Sequence, residues 1–361
     1  KILARRRDSS VQKAQPYRYD LPRGEKLSQR PVVVGFGPAG MFAALLLAQC
    51  GQNPIVLERG MPVEERERSV TRFWKDRVLD PESNVQFGEG GAGTFSDGKL
   101  TTGTGDGRIR KVLEELVRSG APEEILYEAK PHIGTDKLPG VVRSIRERVI
   151  ALGGEVRFST KAEGFLLQEG KLTGLRLRTP SGEEVLECSQ VILAVGHSAR
   201  DTFEELHRLG LPMEAKAFSV GARIEHPASL IDRAQYGAFA GHPTLGAADY
   251  KLSCHLENGR GVYTFCMCPG GYVTGAASEL GGVVTNGMSP WARDGKNSNA
   301  ALLVGVTPED YGQEGPLVGI GFQRRIEQAA FRLAGGDYSA PARRVADFLA
   351  GVPSKSFGGV A

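Results

Sequence analysis

Pro31-Val-Val-Val-Gly35-Phe-Gly37-Pro38-Ala39-Gly40 opens the stretch that decides the fold, and Ile55-Val-Leu-Glu58-Arg59 closes it. An apolar β-branched run enters a G-x-G-x-x-G turn, an apolar helix from Met41 to Cys50 leaves it, and a second apolar run ends in an acid. Gly35 permits the tight turn, Gly37 lets a pyrophosphate reach the backbone, and Gly40 lets helix and strand pack closely. The helix N-terminus presents free N–H groups and a partial positive charge. Glu58, eighteen residues beyond Gly40, is placed to accept the hydroxyls of an adenosine ribose, with Arg59 beside it. Strand, glycines, helix, strand and acid in this order predict a dinucleotide site in an α/β domain. The competing reading is a Gly-rich turn of some other α/β protein.

The bulk numbers narrow the class. A length of 361 residues leads to an expectation of two domains, and 48 glycines suit backbone-lined ligand sites. A net charge of +3 argues against a dedicated nucleic-acid binder, so the basic run Arg5-Arg6-Arg7 reads as a solvated tail. The five cysteines (Cys50, Cys188, Cys254, Cys266, Cys268) are odd in number and irregularly spaced, which points to a reducing cytoplasm rather than a disulfide framework. Val32 to Gly51 is apolar enough to suggest a membrane span, but its three fingerprint glycines and proline are better explained by a βα unit. The N-terminus carries no secretory signal pattern. The chain starts with Lys and stops in Phe357-Gly-Gly-Val-Ala361, and reads as a fragment of a longer protein.

Residues 1–30 read as a polar linker and 61–80 as a charged helix with apolar punctuation. Asn84 to Gly107 is packed with Gly, Ser and Thr. A loop this long inside a compact domain is usually functional, and Phe87, Phe95 and Leu100 anchor it. Helices are predicted over Arg108–Ser119 and Leu138–Leu152, then a strand over Glu155–Phe158. Three short strands follow near Ala162–Gln168, Lys171–Thr179 and Glu184–Cys188, joined at Glu169-Gly170 and Ser181-Gly182. Gln190-Val-Ile-Leu-Ala-Val-Gly196 is a buried strand ending in glycine.

This order resembles the way flavoproteins of the glutathione-reductase type complete their FAD domain. The chain as a whole is similar to a family of bacterial FAD-dependent dehydrogenases within that superfamily. The likeness rests on Gly35–Gly40 with Glu58, on Asn84–Leu100, on Val191–Phe203 and on Phe265-Cys-Met-Cys-Pro-Gly-Gly271, and it covers nearly the whole chain. Members of the family continue past this chain's last residue, into a segment that returns to the FAD domain and closes over the flavin. The resemblance implies an FAD-binding Rossmann-like domain over 31–200, built of a parallel sheet plus a three-stranded β-meander. It further implies a β-rich substrate domain over 201–361, FAD as cofactor and a redox reaction on a small molecule that it does not identify.

Within that frame, Gly90 and Gly91 let backbone N–H groups reach phosphate or the flavin edge, with Gly98 in the same loop. Thr94 and Ser96 are candidate phosphate donors. Lys99 is a candidate cation for phosphate or for the flavin N1–C2=O edge, against a solvated surface lysine. The family layout, with low specificity, places Ala162 at adenine. Gly196 ends the return strand near the ribityl or pyrophosphate region, and Ser198 is a candidate cap for a helix beginning near Asp201. His197 is a candidate acid/base, with a hydrogen-bonded loop histidine as the preferred reading. Arg223 and Arg260 are candidate anchors for an anionic substrate.

Cys266 and Cys268 are the sharpest redox candidates. In an extended strand, however, residues two apart lie about 6.5–7 Å apart at Cα, near the limit for a disulfide, so apolar filling is preferred. No metal site is expected. The sequence has no second G-x-G-x-x-G, so NAD(P)H would act as a transient electron donor over the flavin rather than in its own domain. The expected activity is hydride transfer between a substrate and flavin N5. The alternatives are a flavin-dependent RNA-modifying enzyme and a non-catalytic dinucleotide-binding module.

Overall fold

A computed structural model of the chain describes residues 17–312 and 314–356. The Arg5–Arg7 tail and the Phe357–Ala361 end lie outside the described residues. The first half runs β1 (Val32–Val34), α1 (Pro38–Gln49), β2 (Ile55–Leu57), α2 (Val63–Asp76), α3 (Arg108–Arg118), α4 (Leu138–Ala151) and β3 (Glu155–Arg157). It continues through β4 (Lys161–Gln168), β5 (Lys171–Thr179), β6 (Gly182–Glu187), β7 (Val191–Leu193) and α5 (Arg200–Arg208). The second half contains β8 (Phe218–Pro227), α6 (Ala228–Tyr236), β9 (Ser253–His255), β10 (Gly261–Cys268), β11 (Tyr272–Gly275), β12 (Thr285–Met288), β13 (Asn297–Val306), α7 (Val318–Leu333) and α8 (Val345–Leu349).

Strands β3, β2, β1 and β7 form a parallel sheet in that order, and β1 sits inside it with all three valines buried. Successive residues of a strand point to opposite faces. Val33 accordingly joins Met41, Ala44 and Leu45 of α1 and Val141, Ile145 and Val149 of α4 on one face. Val32 and Val34 turn to the other, where Ala162, Leu175 and Leu177 of the antiparallel meander β4-β5-β6 cover them. A strand buried on both faces has no polar alternation, which is why it reads as an unbroken apolar run. The protein is therefore a mixed α/β molecule with one parallel sheet and separate antiparallel sheets.

The second half supplies the antiparallel sheet β8-β13-β10-β9 and the hairpin β11-β12. It meets the first half where Ala276 and Met288 pack on Val70 of α2 and on Val85 and Phe95 of the Gly-rich loop. The Trp74 indole N–H adds a hydrogen bond to the Gly275 carbonyl (2.9 Å). No helix among the described residues is long and apolar enough to cross a membrane.

Candidate functional site

The Gly35 turn is built as tightly as backbone allows. Gly35 has φ +95°, and a Cβ on Gly40 would fall 1.9 Å from the Gly35 carbonyl oxygen. A Cβ on Gly35 itself would meet the Ala194 carbonyl at 2.5 Å, because the end of β7 lies against the turn. Helix α1 starts directly after Gly37 with Pro38 in its first turn and no side-chain cap. Pro38 and Ala39 are exposed, so the uncapped N–H groups and the positive end of the helix dipole open outward. The Gly90 N–H donates to the Phe36 carbonyl (2.8 Å), and a Cβ on Gly91 would come within 3.0 Å of Gly37 Cα. Two glycine loops thus lie side by side at the C-terminal end of the parallel sheet.

Glu58 sits beneath both loops, 4% exposed. Its Oε2 accepts from the Phe36 N–H (2.8 Å), and its Oε1 accepts from the N–H groups of Gly60 (2.9 Å) and Gly88 (3.0 Å). Three of about four lone-pair positions on the carboxylate are thereby filled from the backbone, leaving one. Arg59, next to it, ion-pairs with Glu82 (2.6 Å) and Asp201 (3.1 Å) and lies over the Phe87 ring (4.1 Å).

The loop from 84 to 91 is shaped by a residue that the sequence reading passed over. Arg66 of α2 is fully buried and donates to four carbonyl oxygens, those of Asn84 (2.8 Å), Val85 (3.0 Å), Glu89 (2.5 Å) and Gly91 (2.9 Å). Burial pulls its pKa down to about 10, with Glu58 and Glu89 opposing. Glu89 is also fully buried. Its Oε2 accepts from the Val63 N–H (2.8 Å) and from Arg146 (3.0 Å), while Oε1 has no partner. Desolvation raises its pKa to about 7. A signal for Arg66 was present: Val63, Arg66, Val70 and Phe73 are the buried positions of α2, a helical stripe in which the arginine falls in phase with the apolar residues.

Other predicted residues take local roles. The Thr94 hydroxyl, expected to face phosphate, is fully buried and donates to the Glu89 carbonyl (2.9 Å); Ser96 donates to the Gly93 carbonyl (2.7 Å). Each hydroxyl has one proton, and here both hold the loop's own backbone. Gly98 has φ +66° and packs on Leu138. Ala162 lines a depression of about 230 Å³ with Lys161, Glu163, Phe165, Arg176 and Asp201. Gly196 is exposed with φ +72°. Ser198 does not cap α5, whose N-cap is Ala199 with no side-chain bond. Its hydroxyl instead contacts Gln86 (3.4 Å) and His197 (3.3 Å). Partial desolvation of the ring and the nearby Arg200 hold His197 below the ordinary histidine pKa. No hydrogen bond joins His197 to the cysteine pair among the described residues. Arg260 is held by Asp310 (2.8 Å).

The cysteines depart most from expectation. Strand β10 is not plainly extended at its end: its register with β13 shifts between Phe265 and Cys268, and Cys266 has φ +46°. This bulge turns both thiols toward Lys99, whose Nζ lies 4.0 Å from Cys266 Sγ and 3.8 Å from Cys268 Sγ. Lys99 is fixed by Asp97 (2.6 Å), itself buried and paired with Arg293 (2.5 Å). Arg223 donates to the Cys266 carbonyl (2.8 Å), to Asn299 Oδ1 (2.8 Å) and to Cys268 Sγ (3.8 Å). It therefore braces the bulge. No cluster of three or more His, Cys, Asp or Glu among the described residues is arranged for a metal ion.

Residues 217–361 match the family model described as "FAD-dependent protein, C-terminal domain-like". An uncharacterized protein of Clostridium beijerinckii is 55% identical over 326 residues, which cover 90% of this chain. The chain spans 60% of that relative's length. Among solved structures, the flavin-dependent brominase Bmp2 is 13% identical with a TM-score of 0.40, over 85% of this chain and 64% of its own. Thermovibrio ammonificans THI4 is 17% identical with a TM-score of 0.33, over 51% of this chain and 65% of its own.

Proposed function

We propose that this chain is the cofactor-binding part of an FAD-dependent oxidoreductase. The observation that carries the reading is the paired glycine loops over a buried Glu58, at the uncapped N-terminus of α1. The family match over 217–361 supports it from an independent part of the chain. The residues fit the group. Gly35, Gly37, Pro38, Ala39 and Gly40 would hold the pyrophosphate against the helix dipole, and Gly37 and Gly91 leave no Cβ in its way. Glu58 would use its remaining lone pair on a ribose hydroxyl. Ala162 would border the adenine, and Gly196 the ribityl chain.

When bound, FAD supplies the capacity to accept or return a hydride. The chain's own contributions are positional and electrostatic. Arg66 fixes the course of the loop through the carbonyls of Asn84, Val85, Glu89 and Gly91, while the N–H groups from Gln86 to Gly91 are bonded within the protein, so this loop contributes shape rather than free donors. Lys99 offers a cation beside Cys266 and Cys268 of β10. The division into a cofactor domain over 31–200 and a substrate domain over 201–361, the small-molecule substrate and transient reduction by NAD(P)H all belong to this reading.

The test is a visible absorption spectrum of the purified chain with added FAD, before and after anaerobic NADH or NADPH, repeated on the longer protein. A bound flavin that bleaches is the expected result. Glu58→Ala should weaken FAD binding about tenfold or more, the scale of a lost charge-assisted hydrogen bond. Failure of both proteins to take up FAD sinks the proposal.

A further inference from the structure

The end of β10 assembles a group of side chains that the flavin reading does not use. Cys268 is 0% exposed, whereas Cys266 is partly open to solvent and follows Phe265, which is 61% exposed. The Cys268 thiol donates to the Cys266 carbonyl (3.3 Å), and Lys99 Nζ lies within 4.0 Å of both sulfurs. A plain strand would hold the sulfurs apart. The bulge, with Cys266 in the left-handed region and its carbonyl bound by Arg223, brings both sulfurs to the one Lys99 ammonium. Such a conformation is unfavourable for a side-chain-bearing residue and persists where the surroundings impose it.

We propose that Cys266, Cys268 and Lys99 form a thiol–disulfide exchange site, in which Cys266 attacks a small disulfide and Cys268 resolves the adduct. Burial assigns the roles: an external disulfide reaches Cys266, and only Cys266 reaches Cys268. In the first step the Cys266 thiolate bonds to one sulfur of the substrate RS–SR. The substrate S–S bond breaks and RS⁻ leaves. In the second, the Cys268 sulfur bonds to Cys266 Sγ, the Cys266–SR bond breaks, and the departing thiolate takes the Cys268 proton to leave as RSH. The substrate is reduced by two electrons and the cysteine pair is oxidised by two. Exchange with an external dithiol runs the same steps backwards and restores the pair.

The electrostatics suit these roles. The neighbouring Cys268 thiol holds the Cys266 pKa down at about 6, with burial and Asp97 opposing and the charges of Lys99 and Arg223 assisting. The neighbouring Cys266 and burial push the Cys268 pKa upward, so Cys268 keeps its proton, which it donates to the Cys266 carbonyl. A thiolate is the attacking species, so Cys266 is charged and reactive near neutral pH while Cys268 waits protonated.

The proposal does not depend on flavin, and its test is run on the intact chain without FAD. The reduced protein is mixed with bis(2-hydroxyethyl) disulfide near pH 7, quenched by acid at intervals, and its cysteines are mapped by peptide mass. A transient adduct on Cys266, followed by a Cys266–Cys268 disulfide, is expected. Cys268→Ser should stop at the Cys266 adduct; Cys268→Ala serves if the serine variant is unstable. Iodoacetamide should label Cys266 with a midpoint near pH 6, and Lys99→Met should move that midpoint upward. The inference is overturned if Cys266 in the wild-type chain reacts no faster than the exposed Cys254. It is equally overturned if the mapped disulfide does not join Cys266 to Cys268. FAD uptake is measured on the same preparation, so failure of either reading is seen separately.

Discussion

Arg66 shows how one side chain can set a binding loop. Its planar guanidinium binds four loop carbonyls, of which those of Glu89 and Gly91 also accept from Thr94. Arg66→Met should destabilise the protein by about 3–5 kcal/mol, as removal of one partner from a buried charged network does. Arg66→Lys should recover only a small part, because three donors on one nitrogen cannot replace a fork that reaches both ways along the loop. Urea unfolding of the three proteins checks this, and a lysine variant as stable as wild type would refute the clamp. The residue scale is also where the sequence reading was weakest. Arg66 stood in a run read only as a charged helix with apolar punctuation, and Thr94 was read as a ligand donor although its proton goes to Glu89.

At the scale of elements, α1 and the turn before it act as one rigid unit. Gly40→Ala places a methyl group 1.9 Å from the Gly35 carbonyl oxygen, so the helix must move off the strand. We expect loss of FAD uptake together with a lowered melting temperature, whereas Ala39→Gly, at an exposed position of the same turn, should retain uptake. Equal FAD affinity in Gly40→Ala and wild type would remove the turn from the site. These elements were legible because strand, turn and helix are consecutive in sequence and obey local sterics. The β10 bulge was not legible. It depends on Arg223 of β8 and on the register of β13, both far away in sequence, and local pattern at Phe265–Cys268 reads only as strand.

Over the whole molecule, carboxylates with shifted pKa values make stability depend on pH in two directions. Burial opposes ionisation of Glu115, but Lys111, Arg148 and Gln49 outweigh it and lower its pKa to about 2; Lys161 and Arg59 likewise bring Asp201 to about 2 against burial. Their contribution is complete above the unfolded values of 4.5 and 3.8 and fades as pH falls toward about 2. Glu89 runs the other way. With its folded pKa raised to about 7, the native state binds the extra proton between 4.5 and 7, so stability falls as pH rises through that window. Glu89→Gln should therefore gain on wild type in urea midpoint from about pH 5 to about pH 8. Glu115→Gln should lose less stability than wild type on acidification below about pH 4. Parallel pH profiles for all three proteins would refute both assignments. The sequence by itself determined the parallel sheet, its glycine turn and the meander, because strand periodicity, β-branching and glycine's conformational range act over a few neighbouring residues. Only the tertiary structure decided that Arg66 faces inward, that Glu58 ties two loops together, and that Lys99 meets a bulged cysteine pair. Those contacts join segments up to 169 residues apart, and burial and charge at such distances are properties of packing rather than of local pattern.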